Sequence, residues 1–523
     1  MPRICRRAAV LGLLATVTTA VTAWGGSTLA DRRPVAALLR RLRVNNTPPL
    51  TAEAATNEPI PGGGDWRIDG VTTKSTSDRA LHVAAYASAT SVKLGGKIDF
   101  HVSLAKPGPY WVEIYRMGFY GGEGARRVAV SPRLAGVTQA APKKASPLGA
   151  ISCGWEPSWR LAVPAGWNSG YYLAVFTTET GFRCYTPIVV RDDARTADLC
   201  VVIPFTTYQA YNLWPKNGKL GKSLYYGYKK VIPAQGGQPS SPTLDYNVRA
   251  FEVSFDRPYA NSGLPMNYDL DLAFIAWAEE AGYSMVFAAS EDLHAGRINP
   301  RRYKGVVFSG HDEYWSRQMR DHAAAAVTAG TSLVFLSANN VYWHIRMPDT
   351  TDRRSGRLVT CYKGDVDTGA QPATRTARWR EPEGSNEPEQ SLLGVMFNGI
   401  LEEPVPLVVR EPGHWFWAGT GVSDGEQIPG IVGFEADGLD AAAPRFALGR
   451  QVLLSASPYV STEDKAETQN TSVIEADNGA IVFAAASLTW PRALRPDGDP
   501  RIQRATANLL DRIVRRTPVA AGG

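Results

Sequence analysis

Apolar and polar residues alternate at every second position over much of residues 66–193. The alternation is clearest in the segments ALHVAAYASATSVKLGGKIDFHVSL, PYWVEIYRMGFYGG, WRLAVPAG and SGYYLAVFTTETGFRCYTPIVVRDD. Glycine, proline and asparagine interrupt it at intervals of about ten residues, which is typical of short strands joined by turns. Residues 66–193 are therefore predicted to form an immunoglobulin-like β-sandwich, with a hairpin at YGGEGARR.

After residue 195 the pattern changes to continuous apolar runs separated by stretches with helical spacing. The runs ADLCVVIPF, SMVFAAS, YKGVVFSG and TSLVFLSANN indicate buried strands, and YDLDLAFIAWAEEAGY and RQMRDHAAAAVTAG indicate helices between them. Buried strands that alternate with helices are typical of a parallel sheet covered on both faces. Residues 196–520 are therefore predicted to form an α/β domain.

Polar and aromatic side chains gather where three of these strands end. The clusters are TTYQAYN at residues 206–212, GHDEYWS at 310–316 and SANNVYWHIR at 337–346. Right-handed crossovers place the carboxyl ends of parallel strands along one edge of the sheet, where open α/β sheets bind their ligands. The three clusters are therefore expected to face one crevice, which is the predicted active site.

The cluster at residues 310–316 allows two interpretations. In the first it is a helix entry, in which Ser316 caps a helix that begins at Arg317 and the acidic residues complement its positive end. In the second it is catalytic, because the phenolate of Tyr314 is a hard oxygen ligand suited to Fe(III). Glu313 or His311 would then move a proton, while the metal polarises a carbonyl group.

Asn340 ends the neighbouring strand and also has two roles open to it. Its amide could orient a carbonyl oxygen or a water molecule in the crevice, or it could satisfy the backbone of its own loop. The sequence offers no familiar nucleophile in its place. No Cys follows the strand GVVFSG, and neither a G-x-S-x-G elbow nor a phosphate-binding loop occurs.

The N-terminus has the features of an export signal. Three arginines among the first seven residues precede an uncharged run over residues 8–23 and a stretch of small residues. Residues 1–30 are predicted to be a signal peptide of the Tat or the Sec type, with an uncleaved membrane anchor as the alternative. Residues 31–65 are predicted to be a disordered linker. The protein is therefore expected to be exported, either secreted, periplasmic or held at the cell envelope.

The charge of the chain gives no indication of a nucleic-acid partner. The formal net charge is +6, but residues 1–43 hold eight arginines and a single aspartate, so the remainder is close to neutral. A near-neutral body lacks the electrostatic footprint of a nucleic-acid-binding protein.

Four cysteines lie beyond the leader, in a compartment that permits disulfides. Cys153 and Cys184 are expected to form the bridge, because both lie in the predicted β domain. Cys200 lies in an apolar strand and is expected to be a buried thiol.

A set of short motifs extends over roughly residues 200–400. They are TYQAYN, RAFEVSFDRPY, EDLHAG, SGHDEYWS, NNVYWHIR, CYK, TARWREP and LLGVMF, with IYRMGFYGGEGAR in the β domain. Together they resemble the C-terminal domain of the large (β) subunit of the N,N-dimethylformamidase family and its exported relatives of unknown function. The resemblance implies a class-I glutamine-amidotransferase-like, flavodoxin-like parallel sheet beside the β-sandwich. It also implies a mononuclear iron, held by two Tyr and one Glu, that hydrolyses a small tertiary amide to an amine and formate.

The resemblance also assigns metal ligands. The family's His-x-Glu-Tyr-Trp motif maps onto residues 311–315 and makes Tyr314 an iron ligand. The second phenolate is expected at Tyr268, with Tyr208 and Tyr211 as rivals.

The Glu ligand of the family has no counterpart where it is expected. That stretch reads QPATRTARWR, which offers Thr374 and no acid, and Glu381 lies just beyond it. This departure favours an alternative function, a non-catalytic binding protein of the cell envelope that keeps the fold and uses its aromatic cleft as a glycan or peptide pocket.

The first hypothesis remains an exported hydrolase that acts on an amide C–N bond. Tyr314 and Tyr268 would hold Fe(III), Glu313 or His311 would transfer the proton, and Asn340 would orient the substrate. The substrate would be a small-molecule or envelope-derived amide. A metal-free hydrolase that uses His311 with an adjacent acid ranks last, and formation of a homo-oligomer or binding of a small partner subunit stays open.

Overall fold

The computed structural model describes residues 65–229, 243–348 and 356–515, except for residues 366, 368, 369 and 448. The predicted signal peptide lies outside these residues, as does all of the predicted linker except residue 65. Within the described ranges, no helix is long and apolar enough to cross a membrane.

The N-terminal region consists of strands arranged in two main sheets. Its strands are β1 (Lys74–Ser75), β2 (Val83–Ala87), β3 (Ser91–Lys93), β4 (Lys97–Leu104), β5 (Gly108–Met117), β6 (Ala125–Val130), β7 (Leu134–Gly136), β8 (Lys143–Lys144), β9 (Ile151–Ser152), β10 (Trp159–Ala162), β11 (Gly170–Thr178) and β12 (Phe182–Arg191). The larger sheet has the order β1-β12-β11-β5-β6, with β3 paired to β12 and β7 to β5, and the smaller has the order β10-β4-β2. Most pairs are antiparallel, and the predicted hairpin is the connection from β5 to β6.

The two sheets share one hydrophobic core. β4 buries every second residue, as its alternating sequence predicts. From this strand Phe100 packs edge-on against Phe176 of β11, with ring centroids 5.5 Å apart. The prediction of an antiparallel β region at the N-terminus is thus confirmed.

The remainder of the chain combines strands and helices. The strands are β13 (Leu199–Ile203), β14 (Gly227–Tyr228), β15 (Leu244–Asp245), β16 (Glu252–Ser254), β17 (Met285–Ala289), β18 (Gly305–Phe308), β19 (Tyr314–Ser316), β20 (Ser332–Phe335), β21 (Trp343–Ile345), β22 (Leu358–Thr360), β23 (Met396–Ile400), β24 (Val405–Val408), β25 (Gln427–Val432), β26 (Glu435–Gly438), β27 (Arg450–Leu453), β28 (Ser457–Val460), β29 (Ala466–Gln469), β30 (Ser472–Glu475) and β31 (Ile481–Ala484). The α-helices are α1 (Phe205–Tyr211), α2 (Tyr268–Glu280), α3 (Ser290–His294), α4 (Arg317–Thr328), α5 (Gln390–Leu393) and α6 (Pro500–Val514).

The central sheet has the order β17-β13-β18-β20-β31-β30-β27. The first five strands are parallel. At the edge beyond them, β30 runs in the opposite direction, and β27 pairs antiparallel with β30. Both faces are buried: Val201 of β13 belongs to a core that includes residues of α2 and α6, whereas Val202 belongs to a core that includes residues of α4. Burial on both faces explains the continuous apolar runs in the sequence, and the predicted α/β architecture is confirmed at this level.

The strand order reverses between β13 and β18. β13 comes first along the chain, yet it lies between β17, the second parallel strand, and β18, the third. The connections that follow β13 and β18 therefore leave on opposite sides of the sheet and open a crevice between the carboxyl ends of these two strands. This crevice is where the sheet favours a binding site.

A hydrophobic core also crosses the predicted boundary near residues 193–196. It includes Tyr171 and Leu173 of β11 together with Leu199 of β13. Arg116 of β5 forms a 2.7 Å ion pair with Glu279 of α2 across the same junction. The described residues accordingly belong to one compact unit.

The predicted disulfide between Cys153 and Cys184 is wrong. Both thiols are free and buried. Cys153 packs beside Tyr86 and Trp214, whereas Cys184 lies in the core between the two N-terminal sheets. The two cysteines share a region of sequence but face different packing layers. Cys200 is a buried thiol in β13, as expected.

Candidate active site

Segments that follow two neighbouring strands deliver the side chains of the candidate site. The helix α1 begins just after β13, and residues 309–316 follow β18. The hydroxyl oxygen of Thr207 accepts hydrogen bonds from the backbone N–H groups of Glu313 and Tyr314, at 3.0 and 3.2 Å. This contact holds the two segments together at the crevice between β13 and β18.

Five side chains meet there, and we call them the phenol–carboxylate cluster: Tyr211, Tyr225, His311, Glu313 and Tyr314. The carboxylate of Glu313 accepts a 2.7 Å hydrogen bond from the hydroxyl of Tyr211 and a 2.8 Å bond from that of Tyr225. The Glu313 side chain is only 2 % exposed, so these phenols take the place of water around a buried carboxylate.

His311 lies between two carboxylates. Its Nε2 is 3.5 Å from an oxygen of Glu313 and 3.5 Å from an oxygen of Glu435, and its Nδ1 is 3.2 Å from the carbonyl oxygen of Ala338. Burial by itself would lower the pKa of His311, but Glu435 and Glu313 outweigh it and raise the pKa to about 9. The imidazole is therefore protonated at neutral pH and donates from both nitrogens.

Glu313 itself stays ionised. Burial would raise the pKa of its carboxyl group, but the hydrogen bond and charge of His311, together with the charge of Lys363, lower it instead. The ammonium of Lys363 lies 3.0 Å from the centre of the Tyr225 ring and 5.3 Å from that of Tyr314. The cluster thus holds one buried carboxylate between two cations.

Tyr314 is fully buried beside this carboxylate. Its ring lies edge-on to those of Tyr211 and Tyr225, with centroids 6.3 Å away in each case. Its hydroxyl makes no hydrogen bond of ordinary geometry among the described residues, but it lies close enough to the hydroxyl of Tyr225 to lower the pKa of that phenol as a hydrogen-bond partner would. Burial and the charge of Glu313 raise the pKa of all three phenols, so they are neutral at pH 7 even with Lys363 nearby, and a bound metal ion would be needed to ionise them.

The donor set fits a hard metal ion. The hydroxyl of Tyr314 is a buried polar atom without a hydrogen bond of ordinary geometry, and Glu313, Tyr225 and Tyr211 are near enough to shift its pKa. Phenolate and carboxylate oxygens are ligands that suit Fe(III). In the part of the chain that the structure describes, no group of three His, Cys, Asp or Glu side chains is placed to hold a metal. Metal binding here would therefore depend on the phenols.

The structure separates the three tyrosines considered for the second phenolate. Tyr211 reaches the cluster, whereas Tyr208 points elsewhere and donates a 2.5 Å hydrogen bond to Asp271. Tyr268 begins α2, where burial and the neighbouring Asp269 raise its pKa to about 12. Among the described contacts, none joins Tyr268 to the cluster.

Asn340 lies at the edge of the site. Its side-chain oxygen accepts a hydrogen bond of 3.3 Å from the backbone of Asp312, and its Nδ2 is buried without a partner among the described residues. The amide thus supports the loop that carries His311 and keeps one free donor. Both roles considered for this residue remain compatible with its position.

The helix-entry interpretation holds for one residue. The hydroxyl of Ser316 accepts a 3.3 Å hydrogen bond from the N–H of Met319 and caps α4. Glu313 is engaged by the phenols instead, and neither carboxyl oxygen of Asp312 has a described partner. Burial raises the pKa of Asp312 to about 8, so that it is largely neutral near pH 7.

The stretch that was expected to provide the Glu ligand contributes nothing to the cluster. Thr374 is exposed and donates to the carbonyl oxygen of Gln371, and Glu381 pairs with Arg378. The second carboxylate beside His311 comes from Glu435 at the start of β26.

Three site residues were missed by sequence reasoning: Tyr225, Lys363 and Glu435. Lys363 lies in the motif CYK, which supported the family resemblance, but a lone lysine after a strand carries no chemical signal. Tyr225 and Glu435 lie in turn-rich segments without periodicity. Only the packing of distant segments brings these side chains to His311 and Glu313.

Comparison with known proteins places the chain among relatives. The sequence family described as "N,N-dimethylformamidase beta subunit-like, C-terminal" matches residues 111–504. The chain is 24 % identical to the N,N-dimethylformamidase beta subunit of Alcaligenes sp over 428 residues, which are 70 % of this chain and 55 % of the relative. It is 23 % identical to the beta subunit of the same name from Paracoccus aminophilus, with the same coverage. The match thus spans about half the length of these relatives.

The solved structures matched in the comparison share too little of their fold with this chain to indicate its function. One is a cycloisomaltooligosaccharide glucanotransferase from Paenibacillus sp., with a TM-score of 0.15, 16 % identity, and coverage of 23 % of this chain and 15 % of that one. A superoxide reductase from Ignicoccus hospitalis has a TM-score of 0.15 at 15 % identity, over 24 % of this chain and 98 % of that one.

Proposed function

The chain belongs to the N,N-dimethylformamidase beta subunit-like, C-terminal family, and from this premise we propose that it hydrolyses an amide C–N bond at the phenol–carboxylate cluster. The observation that carries the proposal is the pairing of His311 with Glu313 in the crevice between β13 and β18. This pairing puts a buried proton donor and a buried carboxylate where open α/β sheets bind substrates.

His311 supplies the proton in this proposal. Hydrolysis forms a C–O bond from water and breaks the C–N bond and one O–H bond of that water. The departing nitrogen takes a proton from His311, and the proton that the water gives up restores the imidazolium by way of Glu435. The pKa of about 9 keeps a proton on His311 at neutral pH, and its Nε2 is the donating atom. Glu435, whose side chain is 17 % exposed, links this nitrogen to solvent and returns the proton after each turnover.

Glu313 and its phenols position the reacting groups. The ionised carboxylate stabilises the imidazolium of His311 and positive charge that develops on the departing nitrogen. Its hydrogen bonds with Tyr211 and Tyr225 fix its orientation, so little reorganisation is needed during the reaction. The free Nδ2 of Asn340 is the proposed donor to the carbonyl oxygen of the substrate.

The same cluster is the proposed iron site. Tyr314 would hold Fe(III) together with Tyr211 or Tyr225 and Glu313, and Tyr211 replaces Tyr268 in this assignment because it contacts the ring of Tyr314. A bound ferric ion supplies Lewis acidity for the polarisation of a carbonyl group. The unpartnered hydroxyl of Tyr314 supports the assignment, since a cation would satisfy it.

Several finer features belong to the same proposal. The strand order supports a flavodoxin-like, class-I amidotransferase-like sheet, and the two-layer β region supports an immunoglobulin-like sandwich. The relatives are beta subunits, so we extend the proposal to a second type of subunit as partner. The leader expected over residues 1–30 supports export, which makes an envelope-derived or other small amide the proposed substrate.

The proposal can be tested by incubating the purified full-length chain with N,N-dimethylformamide and with a panel of small formamides and acetamides. The release of amine is the readout. Glu313→Gln should lower the rate at least about a hundredfold, the usual scale of a lost acid–base or charge-stabilising group. Glu156→Gln is the matched control, because this glutamate is exposed and lies in the N-terminal β region, just before β10. Iron content and visible absorption from iron-bound tyrosinate should both disappear in Tyr314→Phe.

Two results would count against the proposal. Equal rates of amide hydrolysis in the wild type and in Glu313→Gln would show that the phenol–carboxylate cluster does not take part in catalysis. Tight binding of amides without hydrolysis would instead support the alternative function, a non-catalytic envelope binding protein, which the full burial of Tyr314 favours.

A further inference from the structure

A separate cavity of about 600 Å³ opens beside the carboxyl end of β17. Its lining includes Lys93 of β3, Arg191 of β12, and Glu291, Arg297 and Arg357. None of its lining residues belongs to the phenol–carboxylate cluster. The volume falls in the range of small-molecule binding sites.

The arginines around the cavity are held by carboxylates, of which that of Asp292 is fully buried. Asp292, whose side chain is fully buried, pairs with Arg191 at 2.5 Å and with Arg297 at 3.1 Å. Arg357 pairs with Asp256 at 2.9 Å and also donates to the carbonyl oxygen of Ala87. Guanidinium groups that are already held in place lose little freedom when an anion binds.

Glu291 brings a buried acid to the same cavity, where the charge of Arg357 and the hydroxyl of Thr90 act on its carboxyl group. The residue is 5 % exposed, and its Oε1 has no hydrogen-bond partner among the described residues, while its Oε2 receives only a weak 3.4 Å contact from Ser290. A buried oxygen without a partner is costly, so a donor from a bound molecule would stabilise it. Burial and the charge of Asp292 raise the pKa of Glu291 to about 7, although Arg357 and Thr90 act in the opposite direction, so that one further positive charge can ionise it at neutral pH.

We propose that this cavity binds a small zwitterion of the amino-acid or dipeptide class, with its amine at Glu291 and its carboxylate at Arg297 and Lys93. Arg297 uses one nitrogen for Asp292 and keeps further donors for a carboxylate. Asp193, the second acid of the lining, is paired with Arg191 at 3.0 Å. Glu291, Arg297 and Lys93 are therefore the groups that match the two charges of such a molecule. The inference is independent of the proposed hydrolysis, because it uses none of the same side chains.

Calorimetric titration of the full-length protein tests the inference with L-alanyl-L-alanine and its N-acetylated form as probes. The free dipeptide should bind at least tenfold more tightly than the acetylated one, because acetylation removes the charge that faces Glu291. Glu291→Gln should abolish the preference for the free dipeptide. Arg297→Ala should lower the affinity for both dipeptides about tenfold. Arg301→Ala is the matched control, since this exposed arginine is not part of the lining, and it should leave both affinities unchanged.

Wild-type protein provides a second test that needs no variant. Near pH 7 the amine should drive a proton from Glu291, so the binding enthalpy should depend on the ionisation enthalpy of the buffer. Failure of the wild type to bind the free dipeptide at about 10 mM would overturn the inference, since such weak affinity is not specific. Equal affinity for both probes, or a preference that survives in Glu291→Gln, would do the same.

Discussion

Replacement of Glu435 by glutamine is expected to lower the pKa of His311. Glu435 makes the largest contribution among the groups that raise this pKa to about 9 from an ordinary value of 6.5. Glutamine keeps the shape of the side chain and removes its charge, so the perturbation is electrostatic. Because burial already disfavours the imidazolium, loss of this carboxylate leaves Glu313 as its sole close counter-charge among the described residues.

The size of the effect follows from the geometry. At 3.5 Å, and with an effective dielectric constant of about 20, two unit charges interact with about 5 kcal/mol. Glu435 is partly exposed, and water screens such a pair to a fraction of that energy. We therefore expect the pKa of His311 to fall by about one to two units, equivalent to roughly 1.4–2.7 kcal/mol.

Nuclear magnetic resonance of histidine-labelled protein can follow this titration. The chain contains 7 histidines, and a His311→Gln variant assigns the signal. Glu156→Gln carries the same substitution on an exposed glutamate of the N-terminal β region and should leave the titration unchanged. A His311 pKa that is the same in wild type and Glu435→Gln would refute the electrostatic reasoning and remove Glu435 from the proposed proton path.

The same group makes stability depend on pH. The pKa of His311 is raised in the folded state, so its contribution is fully present below pH 6.5 and is lost as pH rises through about 9. Urea denaturation should therefore show falling stability across this window, by up to about 3 kcal/mol from this group. In Glu435→Gln the decline should be smaller and should end at a lower pH; identical profiles would contradict the assignment.

Two further predictions concern single side chains. Tyr225→Phe removes a donor to the buried carboxylate of the cluster and should lower the free energy of unfolding by about 1.5–3 kcal/mol. Tyr314→Phe removes a hydroxyl that makes no ordinary hydrogen bond and should lower it by less than about 1 kcal/mol. Thermal unfolding of chelator-treated protein compares the two, and equal losses would contradict the hydrogen-bond assignment. Gly263→Ala should lower the free energy of unfolding by at least about 3 kcal/mol. Residue 263 has a positive φ, and the added Cβ would overlap the carbonyl oxygen of Tyr185. Gly430 also has a positive φ, but an added Cβ would meet no other atom, so Gly430→Ala should lower the free energy of unfolding by only about 1–2 kcal/mol. Similar losses of stability in the two variants would argue against a steric cause.

Local pattern was sufficient to predict the framework of the molecule. The alternation in β4 and the apolar run of β13 each reflect how many faces of a strand are buried, and that property is written into consecutive residues. The position of His311, Glu313 and Tyr314 was predictable for the same reason, because their motif directly follows a strand of a parallel sheet.

The membership of the site was decided by tertiary packing. Tyr225 lies 88 residues before Glu313 and donates to it all the same, and Glu435 reaches His311 from β26. Tyr208 and Tyr211 lie on the same short helix, yet one meets Asp271 and the other meets Glu313.

By itself, the sequence determined the first four parallel strands of the central sheet, the long helices α2 and α4 between them, and which strand ends carry polar groups. Each of these properties depends on neighbours along the chain. The tertiary structure alone decided which tyrosines surround Glu313, which carboxylate replaces the expected one, and that Cys153 and Cys184 stay apart. Those outcomes depend on contacts between residues that are distant in sequence, and local periodicity carries no information about them.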